Sequence, residues 1–135
     1  MSGLRDRLDA LLCESRHAFA KGDLATARQL LDTAERLARD ADETVLADRA
    51  LCRRCFVDVE LESGINVVPE LQRVFMASDD AQNRCYASFT ISVKSFYEDD
   101  LENAVKWAKR SFSLADKVDD AHTGMVTSNF AAAIH

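Results

Sequence analysis

The sequence predicts an all-α protein made of antiparallel helix pairs, and three observations carry that prediction. Acidic residues punctuate the chain about every twenty positions, at Asp23, Asp40 and Asp42, Glu62, Asp79-Asp80, Asp99-Asp100 and Asp119-Asp120. The intervals between them carry apolar residues at spacings of three and four, the period of a helix with one buried face. Helix breakers are scarce, with one Pro and four Gly in 135 residues.

The punctuation has a physical reading. An Asp before a helix accepts hydrogen bonds from the first free N–H groups, and its charge suits the positive end of the helix dipole. Each marker therefore reads as a helix start. The first helix carries Leu4, Leu8, Leu11, Leu12, Ser15, Ala18 and Phe19 on one stripe. After Gly22-Asp23, the second carries Leu24, Ala27, Leu30, Leu31, Ala34, Leu37 and Ala38. Val45, Leu46, Ala50, Cys52, Phe56 and Val59 form the third, which Gly64 is placed to end with a left-handed residue. Pro69 suits a first turn, so a short fourth helix is expected over residues 69–77. A fifth is expected over 81–96, a sixth over 101–118 and a seventh from Ala121 to the end.

Helices joined by turns this short lie antiparallel to their neighbours. A repeat of about 39 residues predicts a one-dimensional stack of helix pairs. A closed four-helix bundle would need fewer and longer helices. The chain reads as a single domain, with units over 4–39, 43–77, 80–118 and an incomplete 120–135.

Composition narrows the function classes. A length of 135 residues suits one domain, and 47% hydrophobic with 30% charged residues is an ordinary soluble balance. The net charge of −6 argues against a nucleic-acid partner, which would call for a basic face. The opening SGLRDRLDALL is amphipathic and charged, so neither a secretory leader nor a membrane span is expected. The four cysteines, at 13, 52, 55 and 85, then read as reduced thiols in a cytoplasmic protein.

Chemistry is sparsely equipped. Cys52-Arg53-Arg54-Cys55 is the single metal-like spacing, and a structural zinc site would need two further ligands. Packed core thiols are the expectation for that pair. His17, His122 and His135 stand in no nucleophile motif. The acidic doublets lack the twelve-residue loop of a calcium hand, and no glycine-rich phosphate loop occurs. No catalytic residue, cofactor or metal is expected.

The repeat carries a finer resemblance. Counting from Gly22, Leu24, Ala27, Leu31 and Ala34 fall at the same offsets as Leu101, Ala104, Ala108 and Ser111 counted from Asp99. Small residues at two of these offsets let a neighbouring helix approach closely. AKGDLATARQLLDTAERLA and YEDDLENAVKWAKRSFSLA thus resemble the turn and second helix of a tetratricopeptide repeat (TPR), and SNFAAAIH resembles the first helix of another. The match is uneven. The 43–77 unit has a short second helix with Pro69 where a small residue belongs. Arg39 and Asp116 stand where the family closes each repeat with Pro, and the period exceeds the family's usual 34 residues.

The resemblance implies a right-handed α-solenoid that binds a peptide, a helix or a partner subunit. Tyr86, Phe89, Val93, Phe96 and Tyr97 form one continuous face of the fifth helix. In TPR proteins the first helix of each pair lines the concave groove, so the resemblance implies that part of this stripe anchors a partner there. Arg16 and Phe19 lie on a first helix as well and join the candidates. The stripe has a second reading, as core, since an apolar helix face is ordinarily buried. Bacterial TPR-like arrays often precede diguanylate cyclase, histidine kinase or transcription-regulator outputs. The family likeness therefore also implies an alternative role, as an N-terminal regulatory input domain. AAAIH leaves an apolar end on the last helix, which is expected either to continue into a longer protein or to pair in a homodimer.

Overall fold

The computed structural model describes residues 2–115 and Lys117, and the regular structure there is entirely α-helical. Six helices follow one another: α1 (Ser2–Ala20), α2 (Leu24–Asp40), α3 (Thr44–Glu60), α4 (Val68–Ala77), α5 (Ala81–Tyr97) and α6 (Leu101–Ala115). No strand occurs among the described residues. The Asp119-Asp120 marker and the predicted seventh helix lie outside the described residues. The chain divides into two compact units, Met1–Ile65 and Asn66–His135. This boundary falls inside the predicted 43–77 unit, so α3 belongs to the first compact unit and α4 to the second.

The turns explain the twenty-residue rhythm and correct part of its reading. At the end of α1, Gly22 adopts φ +82°. Its N–H donates to the Phe19 carbonyl at 3.0 Å, while Asp23 N–H reaches back to Ala18 at 2.9 Å. This is a Schellman closure, with a left-handed residue followed by one that bonds five positions back. The same pair of bonds recurs with Asp42 and Glu43, with Glu62 and Ser63, and with Asp99 and Asp100. Asp42, Glu62 and Asp99 hold φ of 58°, 53° and 60°. Those three acids therefore end helices rather than start them, and Asp40 is the last residue of α2. Glu62 takes the closing position assigned to Gly64, although Gly64 too is left-handed, at φ +80°.

Capping falls to the residue after the left-handed one. The Asp23 carboxylate accepts from Thr26 N–H at 3.2 Å, and Asp100 accepts from Asn103 N–H at 3.3 Å. Hydrogen bonds from the Thr26 side chain, and then from its backbone, hold the Asp23 carboxyl below the usual carboxylate range. This cap is accordingly in place above the ordinary Asp pKa and is lost as pH falls through the lowered one. Glu43 occupies the same position before α3 without a side-chain cap bond. Asp80 caps α5 by accepting from Asn83 N–H at 2.8 Å, as the sequence predicts.

A non-glycine residue in the left-handed region is strained by its Cβ. Glu62→Gly is therefore expected to stabilise the chain by roughly 0.5–1 kcal/mol, the relief of strain exceeding the added freedom of the unfolded state. Gly22→Ala should cost about 1 kcal/mol, through the backbone alone, because a Cβ at Gly22 meets open space. Urea midpoints of the two variants should move in opposite directions.

In the first unit, Leu8, Leu12, Ala18, Ala27, Leu31, Ala34, Ala38, Ala47, Ala50 and Val57 form one core, with Leu4, Leu11, Phe19, Leu24, Leu37 and Leu46 packed around it. Small side chains dominate the α2 contribution, so neighbouring helices sit close. Beside this core runs a chain of alternating charges that ties α2 to α3. Arg28 donates to Asp58, Arg54 bonds both Asp58 and Glu35, and Arg39 bonds both Glu35 and Asp48. Partners rise along α2 as they fall along α3, which is the antiparallel register. The Asp58 side chain is fully buried and that of Asp48 nearly so. Burial opposes the Arg54 cation, but the charge of Glu35 and its hydrogen bond, with the charge of Asp58, outweigh that cost and raise its pKa above the usual value.

In the second unit, α5 is buried almost all round from Ala87 to Val93. Its interior hydroxyls find partners: Ser88 donates to Arg84 and Cys85 carbonyls at 2.9 Å, and Thr90 to Tyr86 at 2.9 Å. Side-chain hydrogen bonds bind it to α6, among them two from serine hydroxyls. Ser92 donates to the Ala104 carbonyl at 2.6 Å, and Ser111 to the Cys85 carbonyl at 3.3 Å. Side chains this short reach a neighbouring backbone because Ala104, Ala108 and Ser111 leave room for it. An aromatic cluster joins α4, α5 and α6: Phe75 meets Trp107 edge-on at 5.2 Å, Arg84 lies 4.9 Å over Phe75, and Arg110 lies 4.3 Å over Trp107.

Candidate functional site

The seven candidate residues divide between the two units. Arg16 and Phe19 are on α1. Arg16 is exposed, whereas Phe19 is half-buried against Phe56 of α3, with ring centroids 5.6 Å apart. Tyr86, Phe89, Val93, Phe96 and Tyr97 are all on α5, and the stripe is most buried in its middle and most exposed at the helix end. Phe89 and Val93 are core residues, 4% and 3% exposed. Tyr86 is half-buried and meets Phe89 edge-on at 6.0 Å. Phe96 and Tyr97 stand 41% and 55% exposed, their rings 6.4 Å apart. Local periodicity identifies this face, but does not show how exposure varies along α5.

The exposed end of the stripe sits at the turn into α6. Leu101, the first residue of that helix, is 58% exposed. Between the rings and Leu101 lie Glu98, Asp99 and Asp100, and Glu102 follows, all of them exposed. Glu98 pairs with Lys94 at 3.0 Å. Asp100 is engaged by Asn103, whose side-chain amide donates to it at 2.7 Å. The site is thus a corner of two aromatic rings and one aliphatic side chain bordered by carboxylates. It can supply apolar contact, ring faces for cations, and hydrogen-bond acceptors.

The other chemical candidates separate in space or in exposure. Cys52, Cys55 and Cys85 are buried free thiols, whereas Cys13 is exposed. Among the described residues, no group of three or more His, Cys, Asp or Glu is arranged to hold a metal ion. His17 is exposed near the end of α1, and His122 and His135 lie outside the described residues. No described helix is long and apolar enough to cross a membrane. Sequence reasoning missed the charge chain of Arg28, Glu35, Arg39, Asp48, Arg54 and Asp58. Its signal was the regular helical spacing of the three charges on α2, which otherwise passes for a solvated face.

Comparison with known proteins leaves the chain on its own: no family model matches it, and neither does any curated protein or solved structure.

Proposed function

We propose that this chain is a TPR-like protein-interaction module, which binds a peptide, a helix or a partner subunit on its helical surface and performs no catalysis itself. The observation that carries this reading is the partial exposure of the aromatic rings at the end of the α5 stripe. Phe96 and Tyr97 stand exposed at the end of a helix whose preceding turns are locked in a core. Large rings held by a rigid frame lose little freedom when a partner covers them, which is why aromatic residues dominate interface hot spots. The recurring Schellman turns, the antiparallel register and the small-residue faces of α2 and α6 support the TPR-like architecture.

Selection of a random displayed-peptide library on the immobilised full chain tests the reading. The expected result is reproducible enrichment of a peptide class that binds the chain in free solution. Failure of every enriched clone to bind in solution would overturn it.

A further inference from the structure

We propose that Arg84 and Arg110 form an oxyanion site over the aromatic cluster of the second unit, and that it takes a carboxylate from an acidic segment of a partner protein. The inference rests on the interaction-module reading and concerns the opposite end of α5 from Phe96 and Tyr97.

The two guanidinium groups gather on one ring. Arg84, in the first turn of α5, lies 4.9 Å over Phe75. Arg110 of α6 lies 5.8 Å from the same centroid and 4.3 Å over Trp107. The Arg84 Nε–H is engaged by the Phe75 carbonyl at 3.0 Å, which fixes the direction of its fork. A guanidinium stacked on a ring keeps its N–H groups in its own plane, where they suit a planar carboxylate. Stacking thus holds both cations in place and leaves donors for an anion. Both arginines are half-buried, and among the described residues neither forms an ion pair.

The first unit shows how this chain satisfies neighbouring arginines. Arg28 and Arg54 meet on Asp58, and Arg39 and Arg54 meet on Glu35. In the second unit no described carboxylate takes that place beside Arg84 and Arg110. Asp80, one helical turn before Arg84, is engaged in capping α5 through Asn83 N–H. Charge is sorted to match. Helices α2 and α3 carry six basic and six acidic residues, whereas α4, α5 and α6 carry Arg73, Arg84, Lys94, Lys106, Lys109 and Arg110 against Glu70 and Glu102. A carboxylate from outside would therefore complete a pairing that the first unit makes internally. Two half-exposed arginines hold a free anion weakly in water, but an anion on a peptide gains from every further contact the segment makes. Lys106 and Lys109 extend the positive charge along α6, which favours a segment with several acids.

The test uses the full chain and a fluorescein-labelled peptide of glutamates around one leucine, with its lysine counterpart as control. Anisotropy should show binding of the glutamate peptide that weakens with added salt, and at least about tenfold weaker binding of the lysine peptide. The protein has one tryptophan, and Arg110 lies over it. The unlabelled glutamate peptide should therefore change the Trp107 emission with the same affinity. Arg110→Gln, Arg110→Lys and Arg84→Lys should each lower affinity about tenfold or more, the lysines because they keep the charge and lose the fork. Lys94→Gln, which breaks a pair with Glu98 near the other end of α5, should bind like the native chain. Circular dichroism establishes that each variant folds; Arg84→Lys also gives up the Phe75 bond, so the two Arg110 variants decide if it does not. Equal binding of the lysine peptide, no binding of the glutamate peptide, unchanged Trp107 emission, or native affinity in the Arg110 variants would overturn the site. Inorganic phosphate that displaces the peptide at the peptide's own concentration would overturn the partner segment, with a small anion as the occupant. Library peptides that bind Arg110→Gln as well as the native chain would sink this inference alone and leave the interaction-module reading standing.

Discussion

Asp58→Ala is expected to destabilise the first unit by about 3–5 kcal/mol, the range for removing one partner from a buried ion pair. The carboxylate is fully buried and receives Arg28 on one oxygen and Arg54 on the other. Without it, Arg54 keeps Glu35 at 3.2 Å, but part of its guanidinium is left facing a site shaped for a negative charge. The loss exceeds the value of the pair itself, because the remaining charge stays desolvated. Asp58→Asn keeps the size and one acceptor oxygen and should fall between wild type and alanine. Asp32→Ala supplies the contrast. It removes an exposed one-turn pair with Arg36, which is worth at most a few tenths of a kcal/mol. Urea unfolding of the three variants should rank them in that order, and added salt should shrink the Asp32 effect far more than that of Asp58.

Trp107→Ala is the second large effect, at about 3–5 kcal/mol on the second unit. The indole is nearly buried, meets the edge of Phe75 from α4, and lies under Arg110. Its removal opens a cavity and also loosens the seat of Phe75, whose ring carries Arg84 and whose carbonyl accepts the Arg84 Nε–H at 3.0 Å. α4 should therefore lose protection before the rest of the unit, which amide exchange would show as early labelling of Val68–Ala77. Trp107→Phe retains a ring and should cost markedly less. As the protein has one tryptophan, its fluorescence follows this cluster in the native chain. Unchanged exchange in α4 of Trp107→Ala would show that Phe75 is held in some other way.

The helices were legible because their information is local. Apolar spacing and capping acids placed six starts and most ends within a few residues, and Pro69 marked the short α4. The acids misled only in role. Asp is suited both to cap a helix and to accept a left-handed backbone, so in Asp99-Asp100 one residue closes α5 while its neighbour opens α6. Glu62 could not be read this way, since glutamate has no such leaning. Asp58 was invisible for another reason: Arg28 lies thirty residues away, and no local pattern reports so distant a partner. The candidate site was half legible. Periodicity grouped Tyr86 through Tyr97 on one face, but Phe89 and Phe96 differ only in what covers them. Cover is a property of neighbours, which a single helix does not encode.

The closures at Gly22, Asp42 and Asp99 let one residue finish a helix and the next begin another, so the join has no slack. Its direction is written into two backbone conformations and a pair of carbonyls. The identities of most side chains along the adjoining helices are then free to drift, provided that small ones stay where helices touch. Descent would leave its mark in such a chain as an interval between left-handed residues. Relatives of this protein should be sought by matching that rhythm of backbone turns, since their amino-acid identities can diverge while the count between turns is kept.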